Sequence, residues 1–84
     1  MGLDTVELIY KIEKHFQISI PDQEAEKMVT IRNISDFISR LLNAGLEEQA
    51  QVEQEILHIV SEHSGVDIKD LWLDMLIADD LGLD

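Results

Sequence analysis

The stretch Gly2-Leu3-Asp4-Thr5-Val6-Glu7-Leu8-Ile9-Tyr10-Lys11-Ile12-Glu13-Lys14-His15-Phe16 decides how the rest of the chain is read. Val6, Ile9, Ile12 and Phe16 recur at steps of three, three and four, the spacing of one face of an α-helix. Leu8 and Ile12 widen that face into a stripe fit for a small core. Asp4 followed by Glu7 is a helix-start signal, an acidic cap with a carboxylate in the first turn. Asp4, Glu7 and Glu13 occupy the other face, interrupted by Lys11 and Lys14. The stretch therefore predicts an amphipathic helix with a mainly acidic outer surface.

Downstream, Pro21 disfavours helix at Ile20 and suits the first turn of a new one. Ile18 and Ile20 sit in a short extended connection, and residues 22–28 predict a brief helix with Ala25 and Met28 turned inward. Thr30 is a cap candidate for the strongest helical period in the chain: Ile31, Ile34, Phe37, Ile38, Leu41 and Leu42. Asn43-Ala44-Gly45 stops it, with Gly45 available for the left-handed conformation that closes a helix. Residues 46–51 form a short polar connector whose helicity the pattern leaves open. Val52, Ile56, Ile59 and Val60 mark a further amphipathic helix ending near Ser64-Gly65. From Val66 onward the apolar residues are irregularly spaced among aspartates. This predicts a long loop packed on the helices, with short helical turns near residues 69–71 and 77–81. No segment alternates like a strand. The expected fold is an all-α, small four-helix bundle: three main helices, one short helix and a long loop.

The 84 residues suffice for one domain, residues 1–84, burying about 60 % of the surface its unfolded chain would expose. Eighteen acids against six bases give a net charge of −12. That field repels phosphate backbones and anionic lipid, so neither nucleic acid nor membrane is an expected partner. It attracts surfaces rich in Lys and Arg, with a salt-sensitive association rate. The absence of Cys excludes disulfides, thiol catalysis and thiolate metal sites. No apolar run approaches the roughly 20 residues of a membrane span, and no basic-apolar signal segment opens the chain, so a cytoplasmic location is expected.

Two parts of the chain resemble the bacterial acyl carrier protein family, in an unusual order. Leu3-Asp4-Thr5-Val6-Glu7-Leu8, Phe16, Ile20-Pro21-Asp22, Glu24-Ala25-Glu26-Lys27, Thr30-Ile31 and Asp36-Phe37-Ile38 resemble the family's second half. Residues 52–84 resemble its first helix and long loop, with Asp79-Asp80-Leu81-Gly82-Leu83-Asp84 similar to the segment preceding the modified Ser. Residues 1–42 thus correspond to the second half, 43–51 to a connector and 52–84 to the first half. The resemblance implies an acyl-carrier-like fold in circularly permuted order, opened where the family attaches phosphopantetheine. The attachment Ser, which would stand between Asp84 and Leu3, is absent, and no Asp-Ser-Leu occurs elsewhere. The family carries acyl intermediates on phosphopantetheine in fatty acid or related synthesis; on this chain no such cofactor is expected.

The resemblance also implies a partner surface at Asp84, Asp4, Glu7 and Glu13. This surface would dock basic patches of synthases, acyltransferases and phosphopantetheinyl transferase. Lys14 and His15 stand where the family often has acids, and Tyr10 replaces a Met-like exposed contact. Leu8, Ile12, Ile20, Ala25, Met28 and Ile34 would line the acyl pocket, although each also reads as plain core. Phe37 and Trp72 read as core or half-buried aromatics. His15, His58 and His63 read as surface histidines, because a spacing of five does not put His58 and His63 on one helical face. The aspartates at 79, 80 and 84 do not match a calcium loop, so no metal site is assigned. No nucleophile–base pair or phosphate loop occurs, so an enzyme is not expected. The competing reading is an acidic helical interaction module with no role in acyl transfer. Monomer and swapped dimer are both compatible with the pattern.

Overall fold

The computed structural model describes residues 2–83. Helices α1 (Leu3–Phe16), α2 (Asp22–Ala25), α3 (Ile31–Leu41) and α4 (Leu46–Ser64) are followed by a 3-10 turn, Ile68–Asp70, in a loop that runs to residue 83. Among the described residues there is no strand, only an isolated antiparallel bridge between Thr30 and Leu76. The chain is an all-α bundle, as its periodicities predict. The α4 helix packs against both α1 and α3.

Each helix ends for a local reason. Gln17, in the left-handed conformation (φ 56°), stops α1, and the Ile18 N–H donates to Glu13 O at 3.0 Å. Pro21 leads into a single α-turn shorter than expected. After Ala25 the bonds tighten to Lys27 N–H→Glu24 O and Met28 N–H→Ala25 O, both 3.1 Å. At the end of α3, Asn43 takes the left-handed role (φ 54°) assigned to Gly45. Ala44 N–H→Ser39 O (2.9 Å) and Asn43 N–H→Arg40 O (3.2 Å) close the helix. Gly45 is extended instead and serves as the N-cap of α4, which begins six residues before Val52. Gly65 is left-handed (φ 79°) and ends α4 at the expected place.

The core is built by both halves of the chain. Leu8, Ile12, Ile31, Ile34, Ile38, Ile56 and Val60 are essentially fully buried, and Met75 and Ile77 of the long loop join them. The inward face of α1 runs through Thr5, Leu8, Ile9 and Ile12, so Val6 points outward, contrary to the expected stripe. Leu41 and Leu42 are also exposed. Residues 46–51 are exposed throughout, and Leu41 and Leu42 are only about half covered. Phe37 is half-buried, whereas Trp72 is 55 % exposed and belongs to no core.

The long loop is pinned at the start of α3. Ile31 N–H donates to Met75 O at 3.3 Å, Arg32 N–H to Leu73 O at 2.6 Å, and Ile77 N–H to Val29 O at 2.9 Å. Thr30 and Asn33 complete a reciprocal capping box: Asn33 N–H donates to Thr30 Oγ1 at 3.1 Å, and Thr30 N–H to Asn33 Oδ1 at 2.9 Å. Outside, Arg32 Nε donates to Asp74 Oδ1 at 2.7 Å. Residues 77–81 form a hydrogen-bonded turn where a short helical turn is expected, with Asp80 N–H donating to Leu76 O at 2.9 Å and Asp80 Oδ2 accepting from Leu76 N–H at 2.8 Å.

Truncating Ile56 to Ala should destabilise the domain by about 2–5 kcal/mol, read from urea midpoints, because it opens a cavity where α4 meets the rest of the core. The hydrogen bond from Arg32, together with its charge, holds the Asp74 carboxyl below the usual aspartate range. A carboxyl whose pKa is lower folded than unfolded stabilises the fold above its unfolded pKa, and loses that contribution as pH falls through the folded value. Wild type should therefore exceed Asp74→Asn in stability at neutral pH. The gap should close as pH is lowered through and below the aspartate range, and should shrink in high salt.

Candidate functional site

The N-terminus of α1 is where the two ends of the described chain meet. Gly2 is extended (φ −81°, ψ 173°) and gives no side-chain cap, so the first-turn amides of α1 have no side-chain acceptor from it. Unpaired donors and the helix dipole make such an end hospitable to an anion. A cleft of about 430 Å³ opens beside it. Gly2, Thr5, Ala25, Met28, Ile77 and Leu83 are among its lining residues, together with the acids Glu26 and Asp79. Leu83 is buried and donates its N–H to Ile77 O at 3.3 Å, which holds the end of the long loop against this cleft.

All six residues expected to line an acyl pocket lie in the core. Leu8, Ile12 and Ile34 are fully buried, and Ile20, Ala25 and Met28 nearly so. Only Ala25 and Met28 of the six reach the cleft. Its remaining lining comes partly from residues the sequence pattern did not single out: Thr5, Val29 and Ala78. Thr5 was hidden by phase, since a stripe started at Val6 leaves it outside.

The acids assigned to a partner surface separate. Asp4 and Glu7 are exposed, one turn apart, on the outer face of α1. Glu13 is half-buried, and its Oε2 accepts the Ile20 N–H at 2.7 Å, so it ties down the connection to α2. Asp84 lies outside the described residues. Beside Asp4 and Glu7 run Leu3 (72 % exposed), Val6 (45 %) and Tyr10 (56 %), spaced three and four apart on the same helix. This outward apolar stripe follows from the phase of α1: with Thr5 turned inward, Val6 joins Leu3 and Tyr10 on the outer face rather than the core stripe its spacing predicts. Lys14 Nζ stands 5.1 Å from the Tyr10 ring centroid, which keeps a positive charge at the C-terminal end of the face.

The histidines divide between surface and clasp. His58 is exposed. His15 Nε2 lies 2.9 Å from Glu55 Oε1, and His63 bridges Lys11 Nζ and Asp4 O, each at 3.0 Å, so both join α1 to α4. Among the described residues no group of three or more His, Cys, Asp or Glu side chains is placed to hold a metal. Among the described residues no helix is long and apolar enough to cross a membrane.

The arrangement is that of a small, strongly acidic helical module with an anion-tolerant helix end and a narrow cleft beside it. The sequence is 48 % identical over 43 residues to an acyl carrier protein of Thermosynechococcus vestitus, covering 51 % of this chain and 53 % of that protein. It is 46 % identical over 40 residues to an acyl carrier protein of Campylobacter concisus, covering 48 % and 52 % respectively. The chain thus spans about half the length of the curated relatives it matches, and over that half it is acyl-carrier-like. No protein-family profile matches the chain. No solved structure matches it.

The different positions of the acids set different expectations. Glu13→Ala should cost about 1.5–3 kcal/mol of stability by freeing the Ile20 amide from its charged acceptor, read from thermal melts. Glu7→Ala, on the open face, should stay within about 0.5 kcal/mol of wild type.

Proposed function

We propose that this chain is a carrier-type domain of the acyl carrier class. Its two halves stand in reversed order, and its 84 residues can be recognised by acyl-handling enzymes but cannot themselves be loaded. The observation that carries the reading is the cleft at the start of α1. There Gly2 and Leu83 line one space, with two of the expected acyl-pocket residues as its wall. A Ser linking Asp84 to Leu3 would stand at this helix end, where free amides favour a phosphate. The extent of the similarity supports the same reading. A comparison that follows chain order can take in only one half of a permuted relative, and the matches span 53 % and 52 % of the carriers concerned.

Recognition would fall on Asp4 and Glu7 together with the Leu3, Val6 and Tyr10 stripe. Basic side chains of a synthase, acyltransferase or phosphopantetheinyl transferase would pair with the acids while an apolar contact covers the stripe. Charge steers the encounter, and desolvated apolar contact supplies affinity. When attached, phosphopantetheine supplies a thiol for thioester chemistry. The residues here contribute a helix end without a side-chain cap and a cleft of mixed lining, in which Ala25, Met28, Ile77 and Leu83 stand beside Glu26 and Asp79, and no catalytic group. The proposed role is therefore that of a carrier and not an enzyme. As part of this proposal the chain resides in the cytoplasm, and its charge of −12 disfavours nucleic-acid and membrane partners.

Intact mass after incubation with coenzyme A, Mg²⁺ and a broad-specificity phosphopantetheinyl transferase tests the reading. The 84-residue chain should be unchanged. A reordered chain running from Val52 to Asp84, through one added Ser, then from Leu3 to Leu42 should gain a single phosphopantetheine, and its Ser→Ala version none. An unmodified reordered chain that is folded by circular dichroism would favour the acidic interaction module instead.

A further inference from the structure

A second, larger cleft of about 600 Å³ lies away from the α1 N-terminus. One wall is a single face of α3, where Asn33, Asp36, Phe37 and Arg40 follow at helical spacing; across from it stand Glu24 and Lys27. Asn43 and Gln49 close the far end, and Met28 contributes to both clefts. The face from residue 33 to residue 40 runs about 10 Å along the helix axis. A cleft of this size is in the range that holds small molecules.

Its charges do not follow the rest of the surface. On a chain with six Lys and Arg against eighteen acids, two of the six cations line this one cleft. Arg32 and Lys69 pair with carboxylates, Lys11 contacts His63, and Lys14 lies over Tyr10. Arg40 makes no ion pair among the described residues; its Nε donates to the Asp36 carbonyl at 3.4 Å, leaving the outer guanidinium nitrogens free for a ligand. Lys27 is only loosely engaged, 3.8 Å from Glu24 and three-quarters exposed. Two carboxylates, Glu24 and Asp36, share the lining, so the cleft presents both signs of charge around half-buried Phe37 and buried Met28.

We infer that this cleft is a binding site for a small zwitterion with an apolar body, of the free α-amino acid class. The carboxylate of the ligand would take the Arg40 fork, which suits a planar anion, with Lys27 adding charge. Its ammonium would face Asp36 and Glu24, and its side chain would cover Phe37 and Met28. A simple anion meets two repelling carboxylates, and a simple cation meets Lys27 and Arg40; only a ligand carrying both charges satisfies the lining. This inference is independent of the loading chemistry, because the cleft shares only Met28 with the other site.

Nuclear magnetic resonance titration of the 84-residue chain with L-leucine tests it, with 3-methylbutanoate and 3-methylbutylamine as singly charged controls. Saturable shifts centred on Phe37, Arg40 and Asn43 with L-leucine are expected, at millimolar affinity. Each control should bind at least about tenfold more weakly, and so should L-leucine to Arg40→Gln. Lys27→Gln should weaken binding less, and circular dichroism of both variants should match wild type. No saturation with L-leucine, equal binding of either control, or unchanged binding to folded Arg40→Gln would each overturn the proposal.

Discussion

The start of α3 is the constraint on which the rest of the arrangement depends. A helix leaves its first N–H groups without partners, and burying such an end unpaired is costly. Here Ile31 and Arg32 give their N–H groups to Met75 and Leu73, and Asn33 gives its own to Thr30 Oγ1. Two of the three acceptors are therefore carbonyls of the distant loop. Once those bonds form, Met75 and Ile77 are carried into the core, and Ile77 is held again through Val29 O. The following turn then brings Ala78 and Leu83 alongside Gly2 and Thr5. The cleft at the start of α1 is thus a consequence of how α3 is capped.

Few cations serve this acidic chain, and several of them are placed across element boundaries. Arg32 of α3 reaches Asp74 of the loop, His15 of α1 reaches Glu55 of α4, and Lys11 meets His63 over the same interface. Exposed contacts of this kind contribute little individually and are screened by salt. Their placement matters more than their strength. Each relieves repulsion at a seam between elements, leaving Asp4 and Glu7 on an outward face without a competing lysine of their own turn.

What the sequence made legible was periodicity: α3 and the inward residues of α4 follow their apolar spacing, and Thr30 and Gly65 act as the cap and stop their residue types favour. Phase was harder to read. In α1, Thr5 and Val6 are both β-branched and adjacent, and only packing decides that Thr5 goes in and Val6 out. The turn after α3 holds two residues able to be left-handed; Asn43 takes that place because it directly follows the C-cap Leu42, where its N–H reaches Arg40 O and the Ala44 N–H reaches Ser39 O. Trp72 is exposed because the loop is anchored by backbone bonds at Leu73 and Met75 rather than by its largest side chain. Glu13 looked like a surface acid since nothing local marks the Ile20 amide, seven residues on, as needing an acceptor.

The order in which the halves are joined has little hold on this packing. Every stitch described between residues 2–42 and 46–83 is non-covalent: the seam of α4 on α1 and α3, the α3 cap and the side-chain clasps. The covalent link between them is a local turn: Ala44 N–H to Ser39 O and Asn43 N–H to Arg40 O close α3 on itself, and its only described hydrogen bonds to the second half come from Gln49, to Ala44 O and Gly45 O. A core of this kind is specified by which faces meet, and chain termini in small domains tolerate being joined and reopened elsewhere. On the proposed reading, moving the link from the α3–α4 turn to the cleft beside Gly2 would leave Leu8, Ile34, Ile56 and Ile77 packed together as they are. On the same reading, what changes with the position of the link is the chemistry at the helix end, where a hydroxyl would turn an uncapped terminus into an attachment point.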